Sequence, residues 1–368
     1  VTPTKRRLVF AGAAALALVA SVAGGLAVPS VQDALFTRLV EHHLREGNKA
    51  LLADDALKVL LCGSSAPFAD VHRAQSCVAI LAGGVYYLVD AGPGSSRNLQ
   101  LWQLRGRELA GVFLTHFHSD HLGDLGEVNT NAWLAGHPGP LSVFGGPGVV
   151  QVVQGFNAVY ALDEAYRTAN SGAALLPPAA AVMQPVRVDL VGPPTPEGGR
   201  RSAPLHFGEM SVTALEVNHD PAAPAYGYRF DYRGRSVVVS GDTRYHPALA
   251  SAAEGADVLV HEAQSQHLVA LLQEAAQETG DARLAQTMGD IEHYHTDPLE
   301  AARLAERAHV RLLVFTHLNP PVSNLLLSRM FYRGVNDIRP HGWVSGEDGT
   351  LVTLPVGSSA VDVSTLAR

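Results

Sequence analysis

The sequence predicts an α/β fold with its chemistry gathered at strand ends, and three observations carry that prediction. Five short apolar runs each end in His, Asp or Glu; helical patterns fall between some of them; and Gly, Pro and Ser separate them as turns do. With 47% apolar and 17% charged residues, the 368-residue chain has material for a large core and is not disordered in composition. We read three segments: a leader over 1–28, a helical extension over 29–55 and a main domain over 56–368.

The leader opens with Lys5, Arg6 and Arg7, and 8–28 then holds no charge and is rich in Ala, Val and Leu. A basic end before an apolar run reads as a signal peptide, and about 21 apolar residues also suffice for a membrane anchor. Either reading places the domain outside the cytoplasm, periplasmic or membrane-anchored. Residues 31–46 follow as an amphipathic helix, with Leu35, Leu39 and Leu44 between charges.

From position 56 the texture becomes β-rich. Residues 58–62, 77–81 and 85–89 predict strands, the last two joined across Ala82-Gly83-Gly84 as a hairpin. Cys62 and Cys77 sit on these neighbouring strands; they pair in an oxidising compartment or serve as two small buried apolar residues, and spacing alone leaves both readings open. The site-bearing strands come next. Run 111–114 leads into Thr115-His116, 212–217 into Asn218-His219, and 236–239 into Ser240-Gly241-Asp242. Run 258–260 leads into His261-Glu262 and 311–315 into Thr316-His317. Such ends are where α/β folds build sites, because rigid backbone holds polar groups at a common edge.

Helical patterns cover 148–166, 267–278 and 298–308. The last starts at a cap from Thr296 or Asp297, with Pro298 in the first turn and Glu300 at the positive end. The Pro- and Gly-rich stretch 172–199 reads as surface loop with one strand near 186–191.

The strongest signal is His116-x-His118-x-Asp120-His121, four metal donors within six residues. In extended backbone His116 and His118 point the same way and reach one ion; Asp120 and His121 turn into a helix that starts at Ser119, toward a second. Asp90 is expected to hydrogen-bond the histidine loop rather than hold metal.

That run after an apolar strand resembles the signature of the metallo-β-lactamase superfamily. The resemblance spans 60–353 and is nearest the branch of tRNase Z and certain arylsulfatases. It implies a four-layer αββα sandwich. Leu61-Cys-Gly-Ser-Ser-Ala-Pro67 with Arg73, and Leu88-Val-Asp-Ala-Gly-Pro-Gly94, resemble the branch's opening elements. Asn218-His219, Ser240-Gly-Asp-Thr243, His261-Glu-Ala263, His295-Thr-Asp297 and Thr316-His317 resemble its later ones. Carried over residue by residue, the resemblance implies one metal on His116, His118 and His219 and another on Asp120, His121 and His317, bridged by Asp242. The nitrogen and oxygen donors suit two divalent ions, Zn²⁺ first, with Mn²⁺ or Fe also compatible. A shared hydroxide is the implied nucleophile, with Asp120 as proton acceptor and His295, oriented by Glu262, as proton donor.

The expected activity is that of an exported hydrolase of phosphate or sulfate esters acting on a small molecule. A tRNase Z-type endoribonuclease is the alternative, and a non-catalytic metal-binding protein the reading of another class. Two features rank the ribonuclease second: His219 and Asp242 are too close in sequence for the long RNA-gripping arm of tRNA-processing members, and the expected export separates the chain from cytoplasmic tRNA precursors. The formal net charge of −8, which offers no basic stripe for nucleic acid, points the same way. Nucleic acid is therefore not expected as a partner. The resemblance allows a homodimer without requiring one.

Overall fold

The computed structural model describes residues 26–46, 51–52, 55–195, 197 and 199–367. The chain divides into two compact units, Val1–Lys49 and Ala50–Arg368. In the first, α1 (Pro29–Glu46) is the expected amphipathic helix, and Val31, Leu35, Phe36 and Leu39 lie exposed along it. The predicted leader lies outside the described residues except for its last three. Among the described residues no helix is long and apolar enough to cross a membrane.

The second unit is built on two sheets. The eight-stranded sheet runs in the order β17 (Asp362–Thr365), β16 (Thr350–Pro355), β1 (Ala56–Gly63), β2 (Cys77–Ala82), β3 (Val85–Val89), β4 (Leu109–Phe113), β5 (Leu141–Gly145), β6 (Met183–Arg187). The second, of nine strands, runs β15 (Trp343–Ser345), β14 (Leu312–Asn319), β13 (Val258–Gln264), β12 (Arg235–Val239), β11 (Ala225–Tyr232), β10 (Met210–Val217), β8 (Arg201–Ser202), β7 (Leu190–Val191), with β9 (Leu205–Phe207) also paired to β10. Each sheet is part antiparallel and part parallel: β3 to β6 run parallel, as do β12 to β15. Parallel strands end at the same edge, so one register of pairing delivers several strand ends to one place.

Three apolar clusters define the layers. One joins the facing sides of both sheets, with Leu57, Val59 and Ile80 from the first meeting Val212, Phe230 and Val260 from the second. Another packs Leu60, Leu88 and Val112 under α2 (Ser95–Leu101), α4 (Leu125–Leu134) and α5 (Val149–Ser171), through Leu99, Leu125, Val128 and Val153. The third packs Val238, Leu259 and Leu313 under α7 (Pro247–Ala252), α8 (Gln266–Glu278) and α10 (Pro298–Arg307). Strands such as β1 and β13 are buried along their whole length because both faces are covered, which is why they read as continuous apolar runs. The layers are helix, sheet, sheet, helix, as the αββα expectation requires.

Several local expectations meet the structure directly. Gly83 and Gly84 turn the β2–β3 hairpin with φ of 61° and 83°, and Ala82 pairs with Val85. Asp297 caps α10 in a capping box with Glu300. Cys62 and Cys77 form a disulfide, which decides between their two readings.

Other segments differ. The first half of the stretch 129–140 belongs to α4, because Leu125, Val128 and Ala132 recur at helical spacing and are drawn onto the sheet. Trp133 is consequently buried, its Nε1 donating to Pro177 O. The short helix α6 (Pro178–Ala181) and β6 occupy part of 172–199, beyond the single strand expected there.

Candidate metal centre

β4 ends at Phe113, and the chain leaves the sheet through Leu114 and Thr115. Tyr228 Oη donates to Leu114 O (2.8 Å) and Tyr226 N to Thr115 O (2.9 Å), so the opposite sheet pins this exit from two sides. His116 and His118 follow in extended backbone, and Ser119 starts α3 (Ser119–Leu122), which carries Asp120 and His121 inward. Asp90, at the end of β3, supports the whole turn. Its Oδ1 accepts from Thr115 N (2.8 Å), and its Oδ2 accepts from Thr115 Oγ1 (2.8 Å) and from His121 Nδ1 (2.7 Å). Asp90 adopts a φ of 62°, a left-handed conformation that Asp tolerates and that swings its carboxyl onto the loop.

The opposite sheet supplies the remaining groups. His219 follows β10, and Asp242 follows β12 through Ser240-Gly241. Gly241 has φ of 61°, and a Cβ there would lie 2.4 Å from Tyr226 O, so only glycine makes this turn. His317 reaches the site by a different device. In the parallel pairing of β13 with β14, Glu262 faces Thr316 and Ala263 faces Leu318, which leaves His317 as an extra residue with φ of 47°. This bulge turns the imidazole out of the pleat toward the histidine loop.

These residues converge. His121 Nε2 stands 3.3 Å from His317 Nε2, 3.3 Å from Asp242 Oδ2 and 3.4 Å from Asp120 Oδ2. His317 Nε2 is 3.2 Å from Asp120 Oδ2, and His116 Nε2 is 2.9 Å from His118 Nδ1. His219 Nδ1 donates to Tyr294 O (3.0 Å), which leaves its buried Nε2 without a protein partner, aimed inward 3.8 Å from Asp242 Oδ2. Donor atoms of His116, His118 and His219 lie within 4.8 Å of one another, as do those of Asp120, His121 and His317, while Asp242 groups with His116 and His121. His118 alone of the seven is exposed.

Electrostatics fit a cation. Burial pushes His116 far down and His219 to about 4, keeping both imidazoles neutral with a lone pair free. Burial opposes ionisation of Asp120, but hydrogen bonds from His121 and His317 outweigh it and hold the carboxyl well below its ordinary range. Asp242 is likewise held down against burial, by His317 and then His121. Burial works against a charge on His121, yet Asp242 and Asp90 prevail and raise it. Neutral imidazoles at His116 and His219, ionised carboxylates that already draw positive charge onto His121, and an orphaned inward nitrogen suit one or two divalent ions, with donors of the kind zinc accepts.

Beside this cluster His295 Nδ1 lies 3.3 Å from Glu262 Oε1, and the same oxygen accepts from Thr296 N (2.8 Å). Burial lowers His295 and raises Glu262, with Asp242 adding to the latter. All nine predicted site residues thus come together. Asp124, just after the histidine loop, instead accepts from Ser96 N, and His293 beside Tyr294 is exposed. Tyr294 was missed. Its ring lies 4.8 Å from those of both His219 and His295, and the signal available was an aromatic set between two histidines, His293-Tyr294-His295.

The family model of the β-lactamase superfamily domain matches residues 86–318, from β3 to the strand that bears His317. The chain belongs to the metallo-β-lactamase superfamily. Within it, the ribonuclease Z of Mycolicibacterium paratuberculosis (strain ATCC BAA-968 / K-10) is 33% identical over 267 residues, covering 72% of this chain and 86% of the relative. Two solved structures share the fold. The metallo-β-lactamase fold protein YhfI from Bacillus subtilis has a TM-score of 0.57 at 19% identity and covers 81% of this chain and 100% of its own. The short form of human tRNase Z has a TM-score of 0.55 at 19% identity with the same coverages.

These findings correct one expectation and reverse a ranking. A small-molecule ester with nucleic acid excluded does not agree with curated relatives named ribonuclease Z. The error lay in the charge argument: net charge sums the whole surface, whereas a polyanion meets only the field at its site. The same relatives lend support to the ribonuclease reading and none to the arylsulfatase one.

Proposed function

We propose that the protein is a metal-dependent hydrolase of RNA phosphodiester bonds, of the ribonuclease Z kind. One observation carries the reading: the stretch that matches the superfamily holds all nine converging residues, in a chain one-third identical to ribonuclease Z over most of that relative's length. His116, His118 and His219 would hold one ion, Asp120, His121 and His317 the other, with Asp242 between them. Such ions, zinc by preference, would supply polarisation of a phosphoryl oxygen and a water of lowered pKa.

The chain's own groups do the rest. Asp90 fixes His121 through Nδ1, and the Tyr294 carbonyl fixes His219 in the same way, so that each imidazole presents Nε2 inward. Asp120, ionised and beside His317, is placed to take a proton from the attacking water. His295 is placed to give one to the leaving oxygen, its Nδ1 standing 3.3 Å from Glu262 Oε1 without a hydrogen bond between them. Between His219 and Asp242 the chain makes only the β11–β12 hairpin, turned at Arg233-Gly234, so RNA is gripped without an arm at that point.

The test is cleavage of a tRNA precursor with a 3′ extension by protein loaded with zinc or manganese, beside a panel of aryl sulfates and phosphodiesters. Cleavage is expected, together with loss of about 100-fold or more in Asp242→Asn or after chelation. Full occupancy by two ions with no RNA cut would overturn the reading, and total inertness would favour a non-catalytic metal protein.

A further inference from the structure

We propose that Tyr294 is the platform on which a base flanking the cleaved phosphodiester stacks, an inference that rests on the ribonuclease reading above. Tyr294 stands in the bend between α9 (Ala282–Ile291) and α10, where Asp297 and Pro298 restart the helix. Its carbonyl accepts from His219 Nδ1 at 3.0 Å, which ties the residue rigidly to the metal centre. Its ring meets His219 at an interplanar angle of 66° and His295 at 36°, both at 4.8 Å between centroids, and is only half-buried. The ring thus touches a predicted ligand and the predicted proton donor, while part of the residue stays exposed beside the site.

The phenol marks this tyrosine as different from those of the core. Tyr226, Tyr228 and Tyr332 each donate a hydrogen bond, to Val188 O, Leu114 O and Ser345 Oγ respectively. Among the described residues no partner hydrogen-bonds the Tyr294 phenol. A neutral aromatic face is what a base can use on an acidic protein. Stacking is indifferent to net charge and to base identity, because every base has a π-face. The short hairpin between β11 and β12 makes such a contact near the reacting phosphate more valuable, since no arm there holds the RNA at a distance.

The experiment measures binding rather than turnover. Full-length protein with chelator present, which prevents cleavage, is titrated with precursor RNAs carrying 2-aminopurine or an abasic residue at either nucleotide flanking the cleavage site. Wild type and Tyr294→Phe are expected to quench 2-aminopurine at one of the two positions. Tyr294→Ala and Tyr294→Leu should lose the quenching and bind about 5- to 150-fold more weakly. That loss should vanish with the abasic RNA, which no purely structural role for the ring would produce. Equal weakening on base-containing and abasic RNA, or no weakening, overturns the stacking inference while leaving the ribonuclease reading intact. A wild-type protein that neither binds nor, when loaded, cleaves these RNAs overturns both.

Discussion

Asp90→Asn isolates one atom of the support beneath the metal centre. Asn tolerates the left-handed φ of 62° at this position, so the backbone is preserved. The amide oxygen can still accept from Thr115 N in place of Oδ1. What is lost is Oδ2, which accepts from both His121 Nδ1 and Thr115 Oγ1. An amide nitrogen there faces two donors and can accept from neither. A buried donor left without an acceptor costs about 1–3 kcal/mol, and disturbing the outer partner of a metal-binding imidazole costs roughly 10- to 100-fold in metal affinity. The two estimates agree, since 1.4 kcal/mol is about tenfold. We therefore expect affinity for the ion at His121 to fall by about 10- to 100-fold, with affinity at His116, His118 and His219 changed far less. Competition with a chromogenic chelator, followed by metal counting, reads both. An unchanged affinity in a folded variant would refute the assigned role of Asp90, as would equal loss at the two sites. Asp90→Ala is the harsher comparison, because it also orphans Thr115 N and strains the backbone.

Three further outcomes follow from other parts of the molecule. Burial pushes His261 down to about 4, below its unfolded value of about 6.5, so the folded state refuses a proton that the unfolded chain accepts between those limits. Its stability contribution is whole above about pH 6.5 and falls by about 3 kcal/mol toward pH 4; urea unfolding across that range should show a gentler decline in His261→Asn, and parallel curves would exclude the assignment. Replacing Cys62 and Cys77 together by Ala opens a link of sequence separation 15 and should cost about 3 kcal/mol, read as a lower urea midpoint at unchanged slope. RNA held by stacking and about two phosphates should lose only about sevenfold in affinity between roughly 50 and 200 mM salt; a drop beyond about a hundredfold would show that many more phosphates are neutralised and would refute this picture.

How much of this was legible in one sequence depends on whether a residue acts through its type or through its place. The ligand types were legible because metal donors recur at the ends of apolar runs, and a strand end is visible as a change from Val and Leu to His or Asp. The layer order was legible for a related reason: continuous apolar runs such as those of β1 and β13 mark strands covered on both faces. The helix α4 was not, because Asn129, Thr130 and Asn131 suggest a loop until the sheet draws Leu125, Val128 and Ala132 to one side. The leader prompted a reading of export that the described residues do not reach.

The bulge at His317 shows why the rest resisted. Counting along β14 by twos assigns a face to every residue, and by that count the residue after Thr316 belongs to the side opposite it. The structure inserts His317 as an unpaired residue at positive φ, and this departure from regular pairing lets its Nε2 meet Asp120 and Asp242. Gly241 and Asp90 depart from regular backbone in the same way, each at φ near 60° and each directly beside a site residue. Local conformations that cost energy survive only where the surrounding structure overrides them, and here two sheets and three apolar clusters do so. Tyr294 belongs to the same class, since its importance comes from the His219 and His295 rings it touches rather than from its own spacing. Residue types at strand ends therefore announce a metal centre, while the irregular backbone that closes it and the aromatic beside it emerge only from the pairing of the two sheets.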